Sequence, residues 1–154
     1  MATRAVHELH AEERVHPSVD ITRVLVPLGR ALFAAVFVIA AAGHFTQGVI
    51  RYAASEGVPL ATALVPASGL LAPAGGLSVG IGYKTRVGAL LLIVFLVPVT
   101  FWMHDFWNVA DESMRLVQRV MFLKNASMLG GAFLLAYFGG GPFSVDSLLE
   151  DRGR

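Results

Sequence analysis

Six polar side chains lie within or at the ends of long apolar stretches of this 154-residue sequence, where polar groups are costly in free energy. They are two histidines, one carboxylate, one lysine and two amides: His44, His104, Asp105, Lys124, Asn125 and Gln118. Imidazole and ammonium groups can hydrogen-bond the oxygen atoms of a ligand and exchange protons with it. This combination indicates a ligand-binding pocket for a quinone or another redox-active head group.

The same residues also have a purely structural interpretation. In it, Lys124 pairs with Asp105, and the histidines and amides join neighbouring helices through hydrogen bonds. Both interpretations stay open, since a set of polar contacts between helices can also form the wall of a pocket.

No particular cofactor is firmly implied by the sequence. A quinone is compatible with the pattern, whereas haem or a metal ion is disfavoured because His44 and His104 stand in no close ligand motif. Three further histidines could form a weak metal site, but a solvated tail explains them more simply: His7, His10 and His16. The chain contains no cysteine, which excludes thiolate metal ligands and thiol redox chemistry within it.

Four apolar stretches must position the polar residues. Hydrophobic residues make up 55 % of the chain and charged residues only 15 %, against about a quarter charged in a typical soluble domain. A run of about 20 apolar residues matches the hydrocarbon thickness of a bilayer when it is helical. We therefore predict an all-α integral membrane four-helix bundle with these approximate spans: Val24–Ala42, Leu60–Ile81, Val87–Met103 and Val117–Phe138.

One domain accounts for these spans. Residues 1–22 are predicted to be a polar N-terminal tail, residues 23–138 a four-helix transmembrane domain and residues 139–154 a polar C-terminal tail. A short amphipathic helix is predicted over Val49–Glu56. The N-terminal segment lacks the apolar centre of a signal peptide, so we expect the first span to act as an uncleaved signal anchor.

Lysine and arginine are distributed unevenly between the two ends of the predicted bundle. The end that carries the tails and the 82–86 turn holds eight of them, and the other end holds four. The positive-inside rule then predicts that both termini are cytoplasmic. Because His44 and His104 end the first and third spans, the polar site residues are predicted to gather toward the outer half.

Four other residues are interpreted as structural. Arg30 lies two turns into the first span, where it can either snorkel to the membrane surface or form a buried pair. Gly76 and Gly80 form a small-xxx-small pattern, which lets helices approach closely. Trp107 lies where an interfacial aromatic residue is expected.

Seven short motifs follow one another along the chain: Gly29-Arg30-Ala31-Leu32-Phe33, Ala42-Gly43-His44-Phe45, Gly57-Val58-Pro59, Gly75-Gly76-Leu77-Ser78, Gly82-Tyr83-Lys84-Thr85-Arg86, His104-Asp105-Phe106-Trp107, and Phe122-Leu123-Lys124-Asn125 with Gly130-Gly131. Their order and spacing over about residues 22 to 148 resemble the DoxX family of small four-helix bacterial membrane proteins. The resemblance implies a multi-pass protein of the bacterial inner or plasma membrane.

The resemblance leaves the function open between two classes. Members of the family have been associated with thiosulfate or quinol oxidation and with membrane complexes that protect against oxidative stress. Related proteins of the wider superfamily act as chaperones or cargo receptors and show no catalysis. The first class is therefore a quinone-interacting subunit or accessory of a membrane oxidoreductase or oxidative-stress system. The second is a non-catalytic membrane scaffold or assembly factor.

The partners expected for these classes are the lipid bilayer, a membrane or soluble oxidoreductase and a second copy of the chain. A net charge of +1 does not indicate a nucleic acid. A transporter is the weakest class, because four short helices with one pocket offer no clear path across the membrane. Whether the chain is itself an enzyme stays open.

Overall fold

The computed structural model describes residues 21–153, which form six α-helices and no strand. The helices are α1 (Thr22–Ala40), α2 (Gln47–Ser55), α3 (Ala61–Ile81), α4 (Thr85–Met103), α5 (Glu112–Phe138) and α6 (Val145–Arg152). Short 3₁₀ helices at Ala41–Phe45 and Phe106–Asn108 follow α1 and α4. The prediction of an all-α fold is confirmed.

Four of these helices are long and apolar enough to cross a membrane. They are α1 with its 3₁₀ helix, α3, α4 with its 3₁₀ helix, and α5. The predicted four spans are therefore confirmed. The start of the fourth was predicted too late, since α5 begins at Glu112 and not at Val117. The carboxylate of Asp111 accepts a hydrogen bond of 2.8 Å from the Met114 N–H and caps this end of the helix.

The four spans pack as a row. Helix α1 packs on α3, α3 on α4 and α4 on α5, whereas α1 and α5, at the two ends of the row, approach each other much less. Small residues bring α1 and α3 together: a Cβ atom on Gly76 would lie 3.1 Å from the Phe37 Cβ, and one on Gly80 would lie 3.2 Å from the Ala34 Cβ. The buried core consists of Phe37, Ala72, Val79, Ala89, Leu92 and Leu96.

Arg30 is buried inside the bundle and does not reach the surface. Its side chain is only 3 % exposed, and its guanidinium donates hydrogen bonds to the backbone carbonyls of Gly140 and Phe143, the latter at 2.7 Å. Its Nε atom has no partner among residues 21–153. Arg30 thereby attaches the loop that follows α5 to helix α1.

Helix α6 is attached to the turn between α3 and α4. The Asp146 carboxylate accepts hydrogen bonds from the N–H groups of Lys84 and Thr85, at 2.7 and 2.9 Å, and from the Thr85 hydroxyl at 2.9 Å. The Asp146 N–H donates to the Gly82 carbonyl at 2.9 Å. The segment predicted as a polar C-terminal tail therefore contains a docked helix. Helix α6 lies at the same end of the bundle as the start of α1 and the 82–86 turn. The cytoplasmic orientation of this end stays a prediction.

Gly82 permits this docking for two reasons. Its φ of +73° lies in the left-handed region, which most residues avoid. A Cβ atom on Gly82 would also lie only 2.5 Å from the Cβ of Ser144, the residue that caps α6.

The charge on Asp146 stabilises the docked helix. Burial alone would raise the pKa of this carboxyl, but the hydrogen bonds from Thr85 and Lys84, together with the charge of Arg30, outweigh it and hold the pKa below the ordinary value of 3.8. Because the folded-state pKa is the lower one, the contribution is fully present above the unfolded pKa. It is lost as the pH falls through the lower folded-state value.

We predict that Asp146→Asn loosens α6, because the variant loses the charge that accepts three hydrogen bonds. The amide hydrogens of α6 should exchange at least about tenfold faster, since a hydrogen bond to a charged group contributes about 1.5–3 kcal/mol. In the wild-type chain the same loosening should occur only at a pH below 3.8. Hydrogen–deuterium exchange of the detergent-purified protein measures both effects.

The matched control is Glu150→Gln, which removes an exposed carboxylate from the same helix. Its α6 amides should remain protected as in the wild-type chain. Unchanged protection of α6 in Asp146→Asn would contradict the role of this carboxylate.

Candidate functional site

A small cavity of about 170 Å³ lies between α1, α4 and α5, at the end of the bundle opposite α6. Four of the six site residues predicted from sequence line it: His44, His104, Lys124 and Asn125. They come from the 3₁₀ helix after α1, from the end of α4 and from the middle of α5. The structure thus brings these four together. Gln118 does not line the cavity but hydrogen-bonds His104, which does. Asp105 lies apart from the cavity.

His44 ends the first span with one ring nitrogen already occupied. Its Nδ1 lies 3.2 Å from the Ala40 carbonyl oxygen, and because a carbonyl can only accept, Nδ1 carries the hydrogen. In the neutral ring, Nε2 is then a hydrogen-bond acceptor. Helix α3 passes very close here, since a Cβ atom on Gly69 would lie 2.7 Å from the His44 Cβ.

His104 is held in the same way by Gln118. The His104 Nδ1 lies 2.7 Å from the Gln118 Oε1, and the Gln118 Nε2 donates to the Tyr52 hydroxyl at 3.1 Å. Since the amide oxygen accepts, the His104 Nδ1 donates and its Nε2 is left as an acceptor. Burial, and then the charge of Glu56, raise the pKa of Tyr52, so this hydroxyl stays protonated at neutral pH.

Asn125 is a buried amide without a hydrogen-bond partner. Its side chain is 5 % exposed and lines the small cavity, and it makes no hydrogen bond to any of residues 21–153. Its amide atoms keep some accessible surface, because Arg30 Nε is the one side-chain atom among the described residues that is fully buried without a partner. The cavity therefore contains a polar group that a bound molecule could satisfy.

Lys124 does not pair with Asp105, and the structural interpretation was wrong on this point. The Lys124 Nζ contacts the Met121 Sδ at 3.4 Å, while Asp105 accepts a hydrogen bond of 2.8 Å from the Asn108 side chain. The physical reason is depth, because Lys124 lies about 18 Å along α5 from Glu112, whereas Asp105 lies beyond the end of α4. The lysine side chain is exposed and also lines the cavity.

A second, larger cavity of about 410 Å³ adjoins the first and lies between α2, α3 and α4. The two cavities share the wall formed by His44, Phe95, Val99 and His104. The remaining lining of the larger cavity is almost entirely apolar, and it includes Ala53, Leu64, Leu71, Val94 and Trp102.

Sequence reasoning missed this cavity and the contribution of Tyr52. The apolar lining residues have the same composition as the core and the lipid-facing surface, so no residue type distinguishes them. Tyr52 did carry a signal, because it places a hydroxyl group within the short amphipathic helix predicted at Val49–Glu56. Only the packing of that helix brings the hydroxyl to Gln118.

Trp107 belongs to an aromatic cluster at the same end of the bundle. Its ring centroid lies 5.1 to 6.5 Å from the ring centroids of Phe101, Phe106 and Phe122.

Within residues 21–153, no group of three or more His, Cys, Asp or Glu side chains could hold a metal ion. The weak metal site considered at His7, His10 and His16 lies outside the described residues.

The fold and the cavities define a small four-span helical membrane protein with a polar pocket near one end of the bundle. The sequence profile of the DoxX family matches residues 25–105, and that of the SURF4 family matches residues 71–150. The chain belongs to the DoxX family, which confirms the resemblance seen in the motifs.

Three curated relatives illustrate the match. Inner membrane protein YqjF of Escherichia coli (strain K12) is 34 % identical over 134 residues, which cover 86 % of this chain and 92 % of that protein. Inner membrane protein YphA of the same organism is 26 % identical over 100 residues, which cover 65 % and 71 %. The Surfeit locus protein 4 homolog of Schizosaccharomyces pombe is 38 % identical over 67 residues, which cover 43 % of this chain and 22 % of that protein.

No solved structure matches the chain at a significant level. The inner-membrane relatives and the four spans confirm the predicted location, a multi-pass protein of the inner or plasma membrane.

We predict that Gly69→Ala destabilises the protein, because the new methyl group would lie 2.7 Å from the His44 Cβ and must displace it. Overpacking of this kind costs about 1–3 kcal/mol. Thermal unfolding in detergent should therefore show a lower midpoint temperature than in the wild-type chain. Gly130→Ala is the control, since nothing lies within 4 Å of a Cβ atom there. Equal midpoints for the two variants would argue against a tight contact at His44.

Proposed function

We propose that this DoxX-family protein binds a quinone and acts as a quinone-interacting subunit or accessory of a membrane oxidoreductase or oxidative-stress system. The observation that carries the proposal is the unpartnered amide of Asn125, which is 95 % buried at the wall of a cavity that also contains two histidines and a lysine. A ring with two oxygen atoms would supply the hydrogen-bond partner that this amide lacks.

The hydrogen-bonding groups of the small cavity fit such a head group. The Lys124 ammonium group and the Asn125 amide can both donate to quinone oxygens. Phe95, in the wall between the two cavities, supplies an aromatic surface next to His44, with ring centroids 5.8 Å apart. A few polar groups in a mostly apolar cavity are typical of small-molecule sites.

The larger cavity supports the proposal from the apolar side. It adjoins the polar cavity across their shared wall, and its volume of about 410 Å³ falls within the range of about 300–1,000 Å³ that small-molecule sites occupy. A quinone has a polar head and a long apolar tail, which matches one polar and one apolar compartment. The relatives' names state a membrane location and no ligand, so this support comes from the geometry.

We expect the protein, purified in mild detergent from quinone-containing membranes, to retain quinone that can be extracted and identified by mass spectrometry. Asn125→Leu, which preserves size but removes the amide, should weaken the binding of added decylubiquinone or a menaquinone analogue at least about tenfold, or about 1.4 kcal/mol. Lys124→Ala should also weaken it. Fluorescence or calorimetric titration measures these affinities.

The control is Ser127→Leu, which changes an exposed polar residue of the same helix outside both cavities. Its affinity for the quinone should equal that of the wild-type chain. A wild-type protein that retains no quinone, and binds none of the added analogues, would refute the proposal.

A membrane scaffold or assembly factor is the second candidate, and one observation favours it. Helix α6 is held in place by Asp146, yet it exposes two leucines, Leu148 at 60 % and Leu149 at 51 %. An apolar pair on a fixed surface helix is suited to contact with a partner protein.

If the chain recruits a partner through α6, Leu148→Gln combined with Leu149→Gln should abolish a cross-link between α6 and that partner in intact membranes. The binding of added quinone should not change, because α6 lies at the opposite end of the bundle. Cross-linking from a photoreactive residue at position 152, which is exposed on the same helix, followed by mass spectrometry, makes the comparison. An identical set of cross-linked proteins with and without the two substitutions would speak against recruitment.

A further inference from the structure

We infer that the site binds the reduced ligand, the quinol, more tightly than the oxidised quinone. This inference rests on the proposed function and adds to it the redox form that the site recognises. It follows from the hydrogen-bond acceptors that the protein places beside the Nδ1 atoms of His44 and His104, because these acceptors favour one tautomer of each ring.

Each histidine uses its Nδ1–H group on a protein oxygen. His44 donates to the Ala40 carbonyl at 3.2 Å, and His104 donates to the Gln118 amide oxygen at 2.7 Å. A neutral imidazole has one donor and one acceptor nitrogen. Both rings therefore offer a ligand the same group, an Nε2 atom that accepts a hydrogen bond.

A quinol and a quinone differ in what they can offer to these two acceptors. The quinol has two O–H donors that can pair with acceptor nitrogens, whereas the quinone has only acceptor oxygens and no donor. Lys124 and Asn125 can donate to the oxygen atoms of either form, so they do not distinguish between them. The two histidines do, because a bound quinone would leave both Nε2 atoms facing an acceptor or without a partner.

Gln118 is the positioning residue in this arrangement. Its Nε2 donates to the Tyr52 hydroxyl at 3.1 Å, and its Oε1 lies 2.7 Å from the His104 Nδ1. Without that oxygen, the hydrogen of His104 could move to Nε2, and the ring would then donate to the ligand. Gln118 thus acts through His104 and does not itself line either cavity.

The test compares the dissociation constants of decylubiquinol and decylubiquinone for the same detergent-purified protein under anaerobic conditions. We expect the quinol to bind at least about tenfold more tightly. For a two-electron couple, a tenfold preference for the reduced form raises the midpoint potential of the bound quinone by about 30 mV relative to the free quinone. A redox titration of the bound quinone gives an independent measurement of the same ratio.

Two variants of the positioning residue separate its chemistry from its packing. Gln118→Leu removes the acceptor and should bring the ratio of the two dissociation constants close to one. Gln118→Glu keeps an oxygen acceptor at the same position and should retain the preference for the quinol. Circular dichroism and gel filtration establish that each variant is folded, and the wild-type comparison needs no variant at all.

The outcomes distinguish this inference from the proposed function. If the wild-type chain binds neither form, the proposed function fails and the inference fails with it. If it binds both forms equally, or the quinone more tightly, the proposed function stands and the inference is overturned. If the wild-type chain prefers the quinol but Gln118→Leu keeps the same ratio, the role of Gln118 is overturned.

Discussion

The hydrocarbon interior of a membrane offers no hydrogen-bond partners, so a polar group placed there must find its partner within the protein. Helices meet this requirement for the backbone, and side chains must meet it individually. Arg30 places two of its nitrogens on carbonyls of the loop after α5. Beyond the last span, at the end of the bundle, Asp146 accepts three hydrogen bonds from the 84–85 backbone and the Thr85 hydroxyl. Asn125 has no such partner among the described residues, and the proposed ligand site is built on this amide.

The two ends of the bundle consequently have different characters. At the α6 end, charged groups hold backbone segments together, and the space between them is filled so closely that Gly82 has no room for a side chain. At the other end, the histidines satisfy only one ring nitrogen each within the protein and leave the second one available. The first end therefore contributes to the stability of the fold, and the second end contains the polar groups on which the proposed ligand site depends.

Sequence patterns predicted the features that depend on local chemistry and composition. Apolar runs predicted the four spans, and the cost of burying polar groups singled out His44, His104, Lys124 and Asn125, which share one cavity. What depends on packing between distant segments could not be predicted. The carbonyl partners of Arg30 and the hydroxyl of Tyr52 beside Gln118 arise from contacts between residues more than sixty positions apart.

Lys124 is exposed and also lines the cavity, which lies between α1 and α5, the two end helices of the row. For an apolar ligand of the proposed site, the source is the lipid that surrounds the bundle. The relevant concentration of that ligand is then its concentration in the bilayer, where an apolar compound accumulates. A dissociation constant of about 1 mM, which corresponds to only about 4 kcal/mol, would fill half of the sites at a bilayer concentration of the same value. Occupancy in the cell therefore depends on the ligand content of the membrane as much as on the strength of the individual contacts.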